Sequence, residues 1–215
     1  MKRIITIVLL SVSILSVDAQ VDKLAGPRVG VTMVQAGSLA SILRKDVSLF
    51  SDDIREEWTG SIGKNGAVMS QYGWQWESRF LDGGDVVGIV EWIALVGGME
   101  KGMFLPSVSS MVGLRTASGF EFAAGPNLSL GGIAMVIGIG KTLKFGKLNV
   151  PVNIAYVPSM NKTYSHSGEY YEEFVDPDGI EESGDEYWDG HEPKYTVTHP
   201  TGARISVMVG FNLGK

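Results

Sequence analysis

Apolar and polar positions alternate with a period of two along most of the chain. The last segment is the plainest. Ile205, Val207, Val209, Phe211 and Leu213 fall on one face, and Arg204, Ser206, Met208, Gly210 and Asn212 on the other. That is the pattern of a strand with one oily face. Met69 to Phe80 sets Tyr72, Trp74, Trp76 and Phe80 against Gln71, Gly73, Gln75, Glu77 and Arg79. Phe120 to Leu130 puts Phe120, Phe122, Ala124, Leu128 and Leu130 opposite Glu121, Ala123, Gly125, Asn127 and Ser129. Leu148 to Val157 places Val150, Val152, Ile154 and Tyr156 against Asn149, Pro151, Asn153 and Ala155. Four further segments, Arg28–Gln35, Val86–Val96, Phe104–Arg115 and Ile133–Leu143, have mixed or small faces but strand length and glycine-rich ends. Pro106, Pro126 and Pro151 fall inside expected strands, where each removes a ladder donor and marks a bulge or a strand end.

Leu81-Asp82-Gly83-Gly84-Asp85, Glu100-Lys101-Gly102, Thr116-Ala117-Ser118-Gly119, Gly131-Gly132 and Lys144-Phe145-Gly146-Lys147 read as hairpin turns. Two connections are long, residues 36–66 and 159–200. In an up-and-down order, odd-numbered connections share one end, and both long ones are odd. Short turns on one side, long loops on the other, an even strand number and both termini at the turn side are the layout of an outer-membrane barrel. The expected fold is therefore all-β, an eight-stranded antiparallel up-and-down transmembrane β-barrel, single-domain over residues 28–215 after a lead at 20–27. A short helix is expected in the first external loop. Ser38 stands where a cap belongs, and Leu39, Ile42, Leu43, Val47, Phe50 and Ile54 recur at helical spacing to about Trp58. Such a stripe caps its own barrel mouth or lies in the outer-leaflet interface.

The passages SQYGWQWESRF, GLRTASGFEFAAGPNLSL and GARISVMVGFNLG make the chain similar to small eight-stranded outer-membrane barrels of Gram-negative bacteria. They look like those of uncharacterised Bacteroidetes-type barrel proteins. The resemblance covers most of residues 27–214 and implies outer-membrane lipid and the outer-membrane assembly machinery as partners. One departure is the C-terminus, Phe211-Asn212-Leu213-Gly214-Lys215, where such barrels end on an aromatic residue.

Composition narrows the picture. Glycine occupies 28 of 215 positions and there is no cysteine, which excludes a disulfide scaffold, a zinc-thiolate site and a cysteine nucleophile. A net charge of -6 speaks against a nucleic-acid partner. Lys2 and Arg3 precede an apolar run from Ile4 to Val17, followed by Val17-Asp18-Ala19. This is the order of a secretory signal over residues 1–19, cleaved after Ala19, so the chain is expected to be exported, and the barrel pattern makes the outer membrane its expected destination. An uncleaved helical anchor needs about 20 apolar residues, and lipid attachment needs a cysteine. Later apolar stretches are broken every few residues, so a closed barrel is the remaining way to span a bilayer.

Candidate chemistry sits in three places. Inside the barrel, Glu77, Arg79, Arg115, Glu121 and Arg204 are expected to face one another as a paired lumen network, with Gln71, Gln75 and Asn127 between them. Outside it, Tyr72, Trp74 and Trp76 suit an interfacial girdle. Residues 169–192 hold eleven carboxylates and no Lys or Arg. Asp176, Asp178, Glu181 and Asp185 there offer oxygen ligands for surface calcium, although the twelfth position from Asp176 is Tyr187 rather than Glu. The competing reading is a solvated, self-repelling loop. Tyr164, Tyr170, Tyr171, Phe174, Tyr187, Trp188 and Tyr195 interleave with these acids and suit contact with a surface protein or glycan.

The expected role is non-enzymatic, requiring no cofactor: surface interaction, adhesion or envelope integrity. Two alternatives stay open. One is a lipid-modifying outer-membrane enzyme using the loop histidines His166, His191 and His199. The other is a secreted soluble barrel or β-sandwich with its oily face turned inward on a small apolar ligand.

Overall fold

The computed structural model describes residues 25–46, 64–166, 169–175, 187–192 and 195–213. Seven strands follow one another as antiparallel neighbours: β1 (Gly26–Val34), β2 (Ala67–Asp82), β3 (Val86–Gly97), β4 (Leu105–Thr116), β5 (Phe120–Ser129), β6 (Gly132–Phe145) and β7 (Leu148–Val157). The chain then leaves the barrel. β8 (Asn161–His166) pairs with β11 (Tyr195–Pro200), and β9 (Glu169–Val175) with β10 (Tyr187–Glu192). It returns as β12 (Arg204–Gly210), continued by β13 (Asn212–Leu213). β12 pairs with β7 on one side and β1 on the other, so the eight-stranded sheet closes on itself.

The strands lie within two residues of where the period-two pattern places them at nearly every end. The second long connection differs from a plain loop. Its Thr- and Tyr-rich flanks form two strand ladders projecting from the loop end of the barrel, with Thr163 and Thr198 hydroxyls 2.9 Å apart across one of them. The tight turns need backbone that an L side chain strains to adopt; Gly119 and Gly146 hold φ at 86° and 61°.

Burial in this barrel is inverted relative to a soluble domain. Among the described residues, 31 large hydrophobic side chains are exposed, while 17 polar or charged residues and 13 hydrophobic ones are buried. Every barrel strand shows the same parity. On β6, Ile133, Met135, Ile137 and Ile139 point out while Val136 points in; on β1, Val29, Val31 and Met33 point out and Arg28 and Thr32 in. Tyr72, Trp74 and Trp76 are on the outer face as expected, and Trp76 is the register partner of Trp92 across β2 and β3.

The three prolines are accommodated without an edge. Pro106 is the second residue of β4, at the strand end. Pro126 sits where the β4–β5 ladder skips, pairing stopping at Ser109↔Asn127 and resuming at Val112↔Ala124. Pro151 sits at a second skip, between Val152↔Val209 and Asn149↔Asn212. In both, the register is unchanged on either side of the missing pairs, so the outward and inward faces continue across the break.

The helix that opens the first long connection breaks after Arg44. α1 spans Ser38–Arg44; its N-cap is Gly37, not Ser38, and no side chain caps it. Ser38 is instead buried as the first helical residue. Lys45 ends the helix in the left-handed conformation, with its N–H on the Ile42 carbonyl at 2.9 Å and that of Asp46 on Ser41 at 2.9 Å. Val47, Phe50, Ile54 and Trp58 lie outside the described residues. Leu39, Ala40 and Leu43 are buried against Val34, Met69 and Leu105, so α1 caps the mouth at the loop end.

Candidate functional site

Because inward positions repeat every second residue, the barrel interior collects whatever polar groups the strands carry at that parity. Near the turn end, β4 supplies Arg115, whose guanidinium is the centre of a buried network. Its Nη1 donates to Glu77 Oε1 at 2.6 Å and its Nη2 to the other oxygen, a two-pronged bond across the lumen from β2. Nε and Nη2 donate to Glu121 Oε2 at 2.8 and 2.5 Å, from the neighbouring β5. Asn153 on β7 donates to the second Glu121 oxygen at 3.0 Å. Glu91 on β3 lies 3.9 Å from Arg115 and accepts a bond from Gln75, which in turn accepts one from Arg28 Nε at 2.7 Å. The network therefore draws on β1, β2, β3, β4, β5 and β7.

Of the residues expected in it, Glu77, Arg115 and Glu121 are brought together. Arg79 stands at the rim, its Nε 3.9 Å from Glu77. Arg204 is a correction. It lies toward the loop end and donates to Ser129 Oγ at 3.2 Å and Asn127 Oδ1 at 3.0 Å, away from the carboxylates. Its position in the last barrel strand gives it the right parity but the wrong height. The network has two further members that the alternation does not point to, Arg28 and Glu91. Glu91 is the direct register partner of Glu77, so pairing the well-patterned β2 with the mixed-face β3 would have found it.

Carboxylate oxygens of Glu77, Glu91 and Glu121 all lie within 4.8 Å of one another, a spacing at which a hard cation is held. Here Arg115 already occupies their common side, and with Arg28 and Arg79 nearby three arginines face three carboxylates. The arrangement is a closed, balanced plug of the kind a buried charge requires. Farther toward the loop end, Thr32 donates to Gln71 at 2.5 Å and lies 2.7 Å from the Ser206 hydroxyl, and Asn127 donates to Ser109 at 2.9 Å.

The calcium candidates Asp176, Asp178, Glu181 and Asp185 lie outside the described residues, and so do the side chains of the loop aromatics. The three histidines sit on separate strands. His166 ends β8 opposite Tyr195, His191 lies on β10 opposite Tyr170, and His199 on β11 opposite Lys162. His199 is 1% exposed. Burial holds its imidazole below the ordinary histidine value, and the Lys162 charge acts in the same direction. At the loop end of β2, Ser70 donates through both its backbone N–H and its hydroxyl to Glu100, in the 3₁₀ turn Met99–Lys101. The hydroxyl bond holds that carboxyl below its usual range.

No family model, curated protein or solved structure matches the chain.

Proposed function

We propose that the mature chain is an exported outer-membrane protein whose closed barrel is a scaffold for its external loops, acting in surface contact or envelope integrity rather than catalysis. The observation that carries this reading is the inverted burial. An unbroken belt of apolar side chains on the outside of a closed barrel is costly in water and favourable in hydrocarbon. The soluble alternative requires the oily faces to meet inside, where Arg28, Glu77, Glu91, Arg115 and Glu121 are buried instead. Trp76 beside Trp92 on the outer face suits the interfacial girdle, and Lys141, held 4.2 Å over the Phe120 ring near the turn end, suits a cation reaching for headgroups.

A lumen plugged by the Arg115 network and capped by α1 suits a scaffold better than a pore. The parts left to meet a partner are the projecting strand ladders and the acidic, aromatic segment that joins them. On this reading the signal segment is removed after Ala19, outer-membrane lipid surrounds the belt, and the assembly machinery inserts it. The external acids bind surface calcium or simply stay solvated.

The test is gel migration of the mature protein, extracted with detergent from outer-membrane fractions, before and after boiling and with and without calcium. A shift on boiling together with absence from the soluble fraction supports the reading, and a calcium-dependent change supports cation binding in the loop. Protein that stays soluble without detergent and runs at one position overturns it.

A further inference from the structure

Both ends of the lumen are closed, but one stretch of its wall is held by side-chain packing without strand pairing. β6 is paired with β5 along its whole loop-end half, from Ser129↔Gly132 onward. On its other side, pairing with β7 begins only at Ile137↔Tyr156. β7 stops at Val157, where Pro158 follows and the chain departs toward β8. Residues 132–136 thus border a notch facing the start of the projecting ladder. Lys162 flanks it, its Cε 3.8 Å from where a Cβ on Gly132 would stand.

Behind the notch lies a cavity of about 70 Å³. Val136 and Val157 form its near wall, packed with Met111 and Ala123 as a buried apolar cluster. Toward the turn end the cavity is bounded by Arg28, Gln75, Glu91, Glu121 and Asn153, which are bonded within the Arg115 network, and farther up Thr32, Gln71 and Ser206 bond one another. The side formed by Ile93, Met111, Val136, Val157 and Met208 is apolar and suits an alkyl chain, while the polar groups are gathered at the two ends. At its loop end stands Arg204, which has no carboxylate within ion-pair distance among the described residues and bonds only the neutral Asn127 and Ser129.

We propose that this cavity binds a single-chain anionic amphiphile, a fatty carboxylate, entering sideways from the bilayer through the β6–β7 notch. The carboxylate lies on Arg204, with Lys162 at the entrance, and the alkyl chain runs inward past Val136 and Met111. The resting volume is short, and the flexible side chains of Met111 and Met208 line it and adapt to the chain. A medium chain therefore fits better than a long one. The proposal rests on the outer-membrane reading for its route of entry.

The test is methionine-methyl NMR of the full mature chain in phosphatidylcholine nanodiscs, titrated with octanoate, octanol and palmitate. Met111→Leu and Met208→Leu assign the two resonances. Octanoate is expected to move both saturably, and octanol and palmitate to bind about tenfold more weakly or worse, the worth of one charge-assisted bond or of a misfit chain. Arg204→Met is expected to weaken octanoate by the same factor, with Arg204→Lys restoring most of it. Val136→Trp is expected to fill the cavity and abolish the shifts. Heat-modifiable migration shows that each variant still folds. Shifts that never saturate, octanol equal to octanoate, or an unaffected Arg204→Met overturn the proposal. A chain that does not enter nanodiscs, seen by size exclusion before ligand is added, refutes the membrane reading and with it the lateral route.

Discussion

Arg115→Met isolates the energetic role of the lumen network. The substitution keeps much of the side-chain volume but removes four donated bonds, two to each of two carboxylates. Glu77 and Glu121 are 2% and 7% exposed, so neither can recover its lost partner from water. Removing one member of a buried ion pair costs about 3–5 kcal/mol, chiefly the desolvation of the charge left behind. Here two charges are left, and Arg79 is only at the rim of one, which puts the expected loss at the upper end of that range. At about 1.4 kcal/mol per decade, the folding equilibrium falls by roughly two to four orders of magnitude. The assay is urea unfolding of the protein folded into lipid vesicles, followed by tryptophan fluorescence and by heat-modifiable migration. The companion variant carries Glu77→Gln, Glu121→Gln and Arg115→Met together and removes the charges as a set; it is expected to regain most of the loss, because whole networks are often replaceable at little cost. A loss below about 1 kcal/mol, the size of an exposed surface pair, refutes the reasoning. So does a triple variant no more stable than Arg115→Met.

Gly73→Val is expected to block folding outright, since a Cβ there would stand 1.9 Å from the Ala94 carbonyl oxygen; the check is the fraction of heat-modifiable protein after refolding. Leu43→Ala removes a side chain 1% exposed under α1 and is expected to cost about 2–5 kcal/mol locally, read as faster amide exchange across Ser38–Arg44 with little change in the strands. The β8–β11 ladder is expected to weaken as pH falls. His199 has a folded value below its ordinary one, so the unfolded ladder takes up a proton first; stability is fully present above about 6.5 and declines below it until the folded value is passed. Limited proteolysis of the projecting ladder between pH 8 and pH 5 reads this out, and His199→Asn is expected to flatten the profile.

The strands were legible because each carries its own period-two signal, and a closed sheet uses it on every strand. The clear alternation of Ile205 to Leu213 marked both faces of the segment that forms β12 and β13. Which way the oily face points was not legible in alternation, since inside and outside are related by a shift of one residue. It took the burial of Glu77 and Arg115 to decide it. Height along the barrel axis was equally hidden. Arg204 and Arg115 have the same parity, yet one bonds Asn127 near the loop end and the other Glu121 near the turn end, because a strand pattern records faces and not levels. Glu91 was overlooked for the opposite reason: its strand is apolar on both faces, so a single charge looked incidental until its register partner was known. The first turns of the helix were legible but its break was not, because an apolar stripe does not announce a left-handed residue such as Lys45.

The high glycine content follows from the same geometry. An eight-stranded barrel leaves an interior only wide enough for side chains to fill, and this one must hold Arg28, Arg115 and Arg204 with three glutamates in it. Glycine at inward positions makes the room. A Cβ on Gly210 would meet Arg28 Nη1 at 1.4 Å, and one on Gly140 would meet Asn153 Nδ2 at 2.3 Å. These glycines are the complement of the charged residues opposite, and the network could not close if the strands carried side chains of ordinary size on both walls. The large outward residues cannot substitute for them, since they face away from the lumen. The lumen is thus filled by a few large polar groups set against many absent ones. This makes its packing sensitive to an added methyl at Gly210 or Gly140 in a way that a soluble core of interchangeable aliphatic side chains is not.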